Sequence, residues 1–478
     1  MALTTAAHAE TPADSLSHPW RAAASVAAVN ALVMGYDHLF MSDMACYRVT
    51  LRDIGENFKL KNWWWDSDHF HTNAINHPYH GSLYYTAARS QGVGIGTASL
   101  LTLGGSLTWE MLCEAEPPSY NDLISTTVGG IALGEPMHRV SSAITDNSSR
   151  GLERVGRELL AAAVNPVRAV HRLLRGDTWR VVPRNPRLPS VPLSGTIEIG
   201  MRRQDVYSKP AFNTAYATLN ITYGDILGTN GHRPFDYFTL RLTAVEGSRQ
   251  PRINNVSVKS QIWSRTLATR TSTSTSTPTP PRTSTVIGLY HHFDYHSATP
   301  AYQLPGEQRY KYPYGYLEVG AIGPGVALRT GNLVTFEQQL FINAIALGAT
   351  PSETKHTPAV SNRNYSFGSG YGARLTSILS AGSWLKADVS ASFSQLFCWD
   401  GFYADDPGRL RSSVWYSVQG EEGNAVTLIA EPSLTVTPVA HWGLAVRGRY
   451  FWCHNNYRYH PHATTHSWEL CAGICYSF

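Results

Sequence analysis

Two glutamates, Glu110 and Glu114, stand one helical turn apart in the run Trp109-Glu-Met-Leu-Cys-Glu114. Side chains at i and i+4 share a helix face, and like charges there repel. Something must compensate them: an arginine such as Arg89 or Arg139, a metal ion, or a proton. Paired carboxylates can serve as general acid and general base. The simpler alternative is a buried network that holds helices together. Histidines crowd the same stretch at His69, His71, His77 and His80. Imidazole suits zinc, copper, nickel or iron. No HExxH or facial-triad spacing accompanies them, so no metal or cofactor is assigned and the four stand only as ligand candidates, hydrogen-bonding histidines being the plainer reading. Asp68, Asp122 and Glu135 complete the acidic candidates. Asp122 or Ser119 also fits a helix cap after Pro117-Pro118. Glu135 precedes Arg139 by four residues, an ion-pair spacing.

The elements that must position these groups are helical. Trp20 to Phe40 carries an apolar stripe at helical spacing, interrupted by Asn30, Asp37 and His38. Residues 81–113 are rich in small and apolar residues and read as one or two helices. Ser119–Leu133 reads as another. Residues 148–176 form an amphipathic pattern broken near Asn165-Pro166, with Gly176 at its end. Gly92, Gly94, Gly96, Gly104 and Gly105 make no nucleotide loop, since no strand precedes them and no P-loop lysine follows. Small residues at such spacing let helices approach closely. Residues 92–109 are apolar enough to approach the minimum for a membrane helix. Such a helix would trap a barrel precursor in the inner membrane, so an internal helix is expected. Nine arginines between Arg150 and Arg187 face only Glu153, Glu158 and Asp177. They fit a solvated face, an acidic partner surface or lipid phosphates.

After Gly195 the period becomes two. Ala215, Ala217, Leu219, Ile221 and Tyr223 alternate with polar residues, as do Leu385 to Phe393 and Trp442 to Gly448. The last segment, Trp468-Glu-Leu-Cys-Ala-Gly-Ile-Cys-Tyr-Ser-Phe478, sets Trp468, Leu470, Ala472, Ile474, Tyr476 and Phe478 on one face and Glu469, Cys471, Gly473, Cys475 and Ser477 on the other. Lipid outside, a polar interior and aromatic residues at both interfaces explain this pattern. About twelve such strands are expected. Connections near Thr330, Gly382 and Val439 are short, and those at 297–313, 349–365, 400–423 and 455–463 are long, as periplasmic turns and extracellular loops alternate. The Thr/Ser/Pro run between Thr269 and Thr285 breaks that alternation. A further strand at Ser412–Val418 would shift the parity.

A resemblance enters here. The order Trp–Asp–Asp–Phe–Asn–His-Pro–Gly–Tyr-Tyr–Ala-Arg–Gly, then Ser–Trp-Glu–Glu, then Pro-Ser–Asp-Leu–Gly-Gly–Leu-Gly-Glu–Arg–Ser resembles a Bacteroidetes family known as domain of unknown function 3943. It spans roughly residues 20–185, including Glu153-Arg-Val-Gly-Arg-Glu158 and Asn165-Pro166. His71 and His80 fall outside that pattern. The resemblance implies an exported envelope protein with a barrel behind the motif region. It supplies no catalytic residues.

The expected architecture is therefore a polar segment 1–18, a helical His/Trp-rich domain 19–185, a linker 186–194 and a transmembrane β-barrel 195–478. Ala7-His8-Ala9 before Glu10 has the small-x-small form of a signal-peptide cleavage site. Six cysteines show no CxxC spacing. A net charge of +4 over 478 residues gives no reason to expect nucleic acid. The expected setting is the outer membrane of a Gram-negative cell, with the helical domain periplasmic or in the lumen. The expected partners are membrane lipid and, during biogenesis, the barrel-assembly machinery. The leading functional expectation is a plugged or gated transport or envelope-assembly protein, with no enzymatic activity. The alternative is an enzyme acting on lipid or envelope polymer through Asp68, His77, Glu110, Glu114, Asp122 or Glu135.

Overall fold

The structure, a computed structural model, describes residues 7–8, 17–40, 48–66, 68–183, 190–191, 193–206, 211–228, 233–246, 252–271, 282–298, 302–303, 310–311, 314–352, 365–402, 418–459 and 461–478. The chain divides into two compact units, essentially residues 3–193 and 194–478.

The first unit is helical: α1 Pro19–Phe40, α2 Leu51–Asn57, α3 His77–Arg89, α4 Ile95–Leu112, α5 Tyr120–Ile124, α6 Gly130–Ile144, α7 Gly151–Val164 and α8 Pro166–Arg175. The break between α7 and α8 falls at Asn165, whose side chain accepts from the Arg168 backbone N–H and caps α8. Gly176 ends α8 in the left-handed region, where lack of a Cβ removes the steric cost. Helix α3 is central. Its Tyr84, Tyr85, Ala87 and Ala88 are buried with Ala22, Val26 and Val29 of α1 and Ala98 of α4. Against α6 it comes very close: a Cβ on Gly81 would lie 1.7 Å from the Thr126 carbonyl oxygen and 2.9 Å from Gly130 Cα. Two π-helical turns, Thr72–Asn76 before α3 and Ser125–Gly129 before α6, lead into that crossing. Among the described residues no helix is long and apolar enough to cross a membrane. Within the polar segment 1–18, Ala7–His8 pairs antiparallel with Ser190–Val191.

The second unit is a closed antiparallel barrel of twelve strands: β1 Leu193–Val206, β2 Phe212–Tyr223, β3 Phe238–Val245, β4 Ile253–Thr271, β5 Arg282–Ala298, β6 Tyr314–Gly331, β7 Val334–Pro351, β8 Tyr365–Ala381, β9 Leu385–Cys398, β10 Gly423–Val439, β11 Trp442–Tyr457 and β12 Ala463–Ser477. Each strand pairs with its sequence neighbour, and β12 closes on β1, with Gly473 opposite Gly200. Closure leaves no strand edge unpaired, a requirement in lipid. Ile197, Ile199, Met201, Leu470 and Ile474 face outward, whereas Glu198, Arg202, Glu469, Cys471 and Cys475 are buried. Trp384 and Trp442 stand exposed at the short-turn end, Trp399 and Trp468 toward the other. The proposed extra strand at Ser412–Val418 falls almost wholly outside the described residues, and β9 pairs directly with β10. Most of the Thr/Ser/Pro run, 272–281, also lies outside them. Five cysteines, Cys113, Cys398, Cys453, Cys471 and Cys475, are buried thiols without a disulfide.

Ion pairs cross the barrel interior. The Arg449 guanidinium on β11 holds Glu431 on β10 at 2.7 Å and reaches His296 on β5, six strands away round the ring. His296 Nε2 is 3.2 Å from Glu469 on β12. Arg241 on β3 meets Glu431 at 3.3 Å, and Arg374 on β8 meets Asp294 on β5 at 2.5 Å and Glu318 on β6. A cavity of about 500 Å³, lined among others by Glu198, Lys259, His292, Asp388 and Arg447, occupies the same barrel.

Candidate functional site

Two sets of buried carboxylates sit in the helical unit, and α3 touches both. The first centres on Glu135 in α6, fully buried. Arg89, at the end of α3, donates to it from Nε at 2.8 Å. Arg139, one turn further along α6, does the same at 2.8 Å, and the Tyr85 hydroxyl adds a bond of 3.0 Å. Burial alone would raise the Glu135 carboxyl. The charges of Arg89, Arg139 and His138 outweigh it and hold the group at about 2. Arg89 and Arg139 are thus both engaged with Glu135.

The second set is built from four separate segments. Trp64 bridges backbone-to-backbone with the Pro118–Tyr120 stretch: Trp64 N–H donates to Pro118 at 3.1 Å, and Tyr120 N–H donates to Trp64 at 3.0 Å. That bridge lays the loop carrying Asp66 beside the start of α5. Ser119 caps α5, accepting from Asp122 N–H, and so places Asp122 in the first turn. The π-turn Thr72–Asn76 delivers His77 to the start of α3. Asn57, at the end of α2, donates to the backbone carbonyls of Glu110 (3.3 Å) and Glu114 (3.1 Å) and closes the end of α4. Unsatisfied carbonyls at a helix C-terminus need such partners.

The result is convergent. His77 Nε2 lies 3.3 Å from Asp122 Oδ1. One ligand atom from each of Asp66, His77 and Asp122 lies within 4.8 Å of the other two. Asn121, buried between them, donates from Nδ2 to Asp122 at 2.9 Å and to Asp66 at 3.4 Å, while its Oδ1 accepts from Asp66 N–H at 2.9 Å. Glu110 accepts from Ser119 N–H at 2.8 Å and is only 2% exposed. Among the described residues no arginine or lysine forms an ion pair with Asp66, Glu110, Glu114, Glu116 or Asp122. Burial disfavours the charged forms. It pushes Glu110 up to about 8 and Glu116 up to about 7, with Asp66 adding repulsion in each case. Glu114 and Asp122 are raised by burial and by their acidic neighbours. Burial lowers His77, and it lowers His80 to about 3. Glu110, Glu114, Glu116 and Asp122 thus keep their protons to higher pH than ordinary carboxyls, and His77 and His80 favour their neutral forms.

Of the sequence candidates, His77, Glu110, Glu114 and Asp122 come together, whereas Arg89, Glu135 and Arg139 form the other set. Asp68 is not the aspartate that meets His77. Its backbone N–H donates to Asp66 Oδ1 at 2.6 Å, and Asp66 occupies the position. Among the described residues the four histidines do not converge on one another. His69 is exposed and His71 half-buried ahead of the π-turn, and His80 stacks edge-on against Trp109. Asp66, Glu116 and Asn121 were not nominated from sequence. Their signal was present in Trp65-Asp66-Ser-Asp68, Glu114-Ala-Glu116 and Tyr120-Asn121-Asp122, but a loop does not reveal which of two neighbouring acids turns inward.

The fold defines an outer-membrane β-barrel that carries a helical domain with a buried acid–histidine centre. Residues 62–167 match the family Domain of unknown function (DUF3943), the family that the sequence resembles, and that span contains both carboxylate sets. Among solved structures the chain is similar to OmpT, an outer membrane protein of Vibrio cholerae, at 5% identity over 60% of this chain and 97% of that one, with a TM-score of 0.22. It is similar to the outer membrane channel DcaP of Acinetobacter baumannii at 11% identity, 60% and 97% coverage and a TM-score of 0.19. The translocator domain of the autotransporter NalP from Neisseria meningitidis gives 11%, 60%, 88% and 0.21. The closed barrel rests on its own strand pairing and takes nothing from these likenesses. No curated protein matches the chain.

Proposed function

We propose that the protein is an outer-membrane enzyme whose barrel is the anchor and whose helical domain is the working part, acting by general acid–base chemistry on a lipid or envelope polymer. One observation carries this reading. The domain neutralises one buried carboxylate with two arginines, whereas among the described residues no arginine or lysine forms an ion pair with the acids around His77. Buried acids without counter-charges are costly to keep, and strongly perturbed titratable groups concentrate at functional sites. Glu110 retains a proton near neutrality and suits a general acid. The neutral His77 suits a positioning partner for Asp122. His77, Glu114 and Glu116 are half-buried and give the group its route to solvent.

The test is hydrolysis of phospholipid, lipopolysaccharide and peptidoglycan preparations by the full chain in detergent. Release of product that falls by a hundredfold or more in Glu110→Gln and His77→Ala, with barrel heat-modifiability unchanged, supports the reading. Equal release by wild type and both variants removes it.

The ion pairs across the barrel favour a second reading, a gated channel closed by its own side chains. In planar bilayers the full chain would then pass little current, and Arg449→Ala would raise it by freeing Glu431 and His296. A variant as silent as the parent removes that reading.

A further inference from the structure

We propose that Asp66, His77 and Asp122 form a binding site for one divalent transition-metal ion, of which Zn2+ is the representative. The inference deepens the enzyme reading above and rests on it for its purpose. Three observations support it. First, ligand atoms about 2.0–2.2 Å from a shared tetrahedral centre stand a little over 3 Å apart. His77 Nε2 and Asp122 Oδ1 are 3.3 Å apart, and the Asp66 ligand atom falls within 4.8 Å of both. Only small side-chain adjustment is needed to close the set on one ion.

Second, the ligands are held from outside. Asn121 fixes both aspartates. Thr126 Oγ1 lies 3.4 Å from His77 Nδ1 and so faces the ring nitrogen that points away from the set. Metal-bound histidines are held through their other nitrogen in this manner, which sets tautomer and ring orientation. Ser119 Oγ donates to Asn121 Oδ1 at 2.9 Å, so the orienting amide is itself fixed. Third, His80 follows His77 by about one turn of α3, and its Nε2 is buried without a hydrogen-bond partner among the described residues. A buried polar atom left open in a native protein needs an explanation, and an unplaced ligand or water in this part of the domain is one.

One imidazole and two carboxylates select a borderline cation over Mg2+ or Ca2+, which prefer oxygen-only shells. Three protein ligands leave a position for water or a substrate oxygen, the pattern of catalytic rather than structural sites. Glu110 and Glu114 stand close by to exchange protons with whatever occupies that position.

The test needs no activity. The full chain, purified in detergent without a histidine tag and stripped with chelator, is titrated with Zn2+, and bound metal is counted by mass spectrometry after desalting. One equivalent per chain is expected, resisting a large excess of Mg2+. Asp122→Asn and His77→Gln should each weaken binding by about tenfold or more, with helical circular dichroism and barrel heat-modifiability intact. If Asp122→Asn loses helical signal, Asp66→Asn and His77→Gln decide the matter. Zinc held equally by the variants, displaced by Mg2+, or not bound at all overturns the site. Zinc bound without any hydrolysis keeps the site and sinks the enzyme reading. Hydrolysis by a chain that binds no zinc does the reverse.

Discussion

Glu135 and Glu110 are both buried in the same small helical domain, yet their surroundings treat them in opposite ways. Glu135 has two guanidiniums and a tyrosine hydroxyl aimed at its oxygens, and it stays ionised far below neutrality. Glu110 has one backbone N–H and acidic neighbours, with no guanidinium paired to it among the described residues, and its carboxyl is pushed up to about 8. A buried acid becomes a brace when cations are built around it. It becomes a centre with something left to bind or to donate when they are withheld.

The largest expected difference comes from breaking the brace. Glu135→Ala removes the carboxylate that both Arg89 and Arg139 engage. Removing one partner of a buried charge network costs on the order of 3–5 kcal/mol. Denaturant unfolding of the full chain, followed by helical circular dichroism, should show the helical transition moved to much lower denaturant while the barrel transition stays put. A helical midpoint unchanged by the substitution would show that Glu135 braces nothing.

The pH dependence sharpens the contrast, because the two acids pull stability in opposite directions. Glu135 is depressed when folded. Its contribution is present above the unfolded carboxylate range near 4.5 and is lost as pH falls toward about 2. Glu110 is raised. Its contribution is present below about 4.5 and is lost as pH climbs from there through about 8. Metal-free protein should therefore lose helical stability between pH 5 and 8, on the order of 2–4 kcal/mol. Glu110→Gln should flatten part of that loss, with Glu114 and Asp122 responsible for the remainder. Parallel stability–pH curves for variant and parent would mean that Glu110 is ionised in the fold.

Much of this was legible in the chain, for reasons that differ by region. In the barrel every second residue reports its side, so Glu469 and Cys471 could be placed inside and Leu470 and Ile474 outside from sequence alone. A count of about twelve strands followed from that period, and the short turns near Gly382 and Val439 from the spacing between strands. The centre was only half legible. Glu110 and Glu114 announce themselves by helical spacing, and Ser119 by its place before a helix. The choice between Asp66 and Asp68 depends on a backbone bridge at Trp64 to residues more than fifty positions later. The assignment of Arg89 and Arg139 to Glu135 depends on how α3 crosses α6. Neither is a local property, and no period encodes it.

That crossing can be tested directly with a smaller effect. Gly81→Ala places a methyl against the Thr126 carbonyl and Gly130, where it must push α3 and α6 apart. Overpacking of this kind costs about 1–3 kcal/mol. Because Thr126 also faces His77 Nδ1, the displacement should weaken the acid–histidine centre, read as lost zinc retention, together with the fold. Full retention of zinc despite a lowered midpoint would separate the crossing from the centre.

The smallest effect belongs to an acid that has neither brace nor centre. Glu153 lies in the first turn of α7, nearly half exposed, and meets Arg157 Nε at 2.9 Å. The pair has good geometry, but water solvates the Glu153 carboxylate and salt screens it, so pairs of this kind contribute about 0.3–0.5 kcal/mol. Glu153→Ala should shift the helical midpoint barely beyond error, and the shift should vanish at high salt. A loss comparable to that of Glu135→Ala would mean that two cations and full burial are not what make the Glu135 network a brace, and the distinction between the two buried sets would have to be drawn on other grounds.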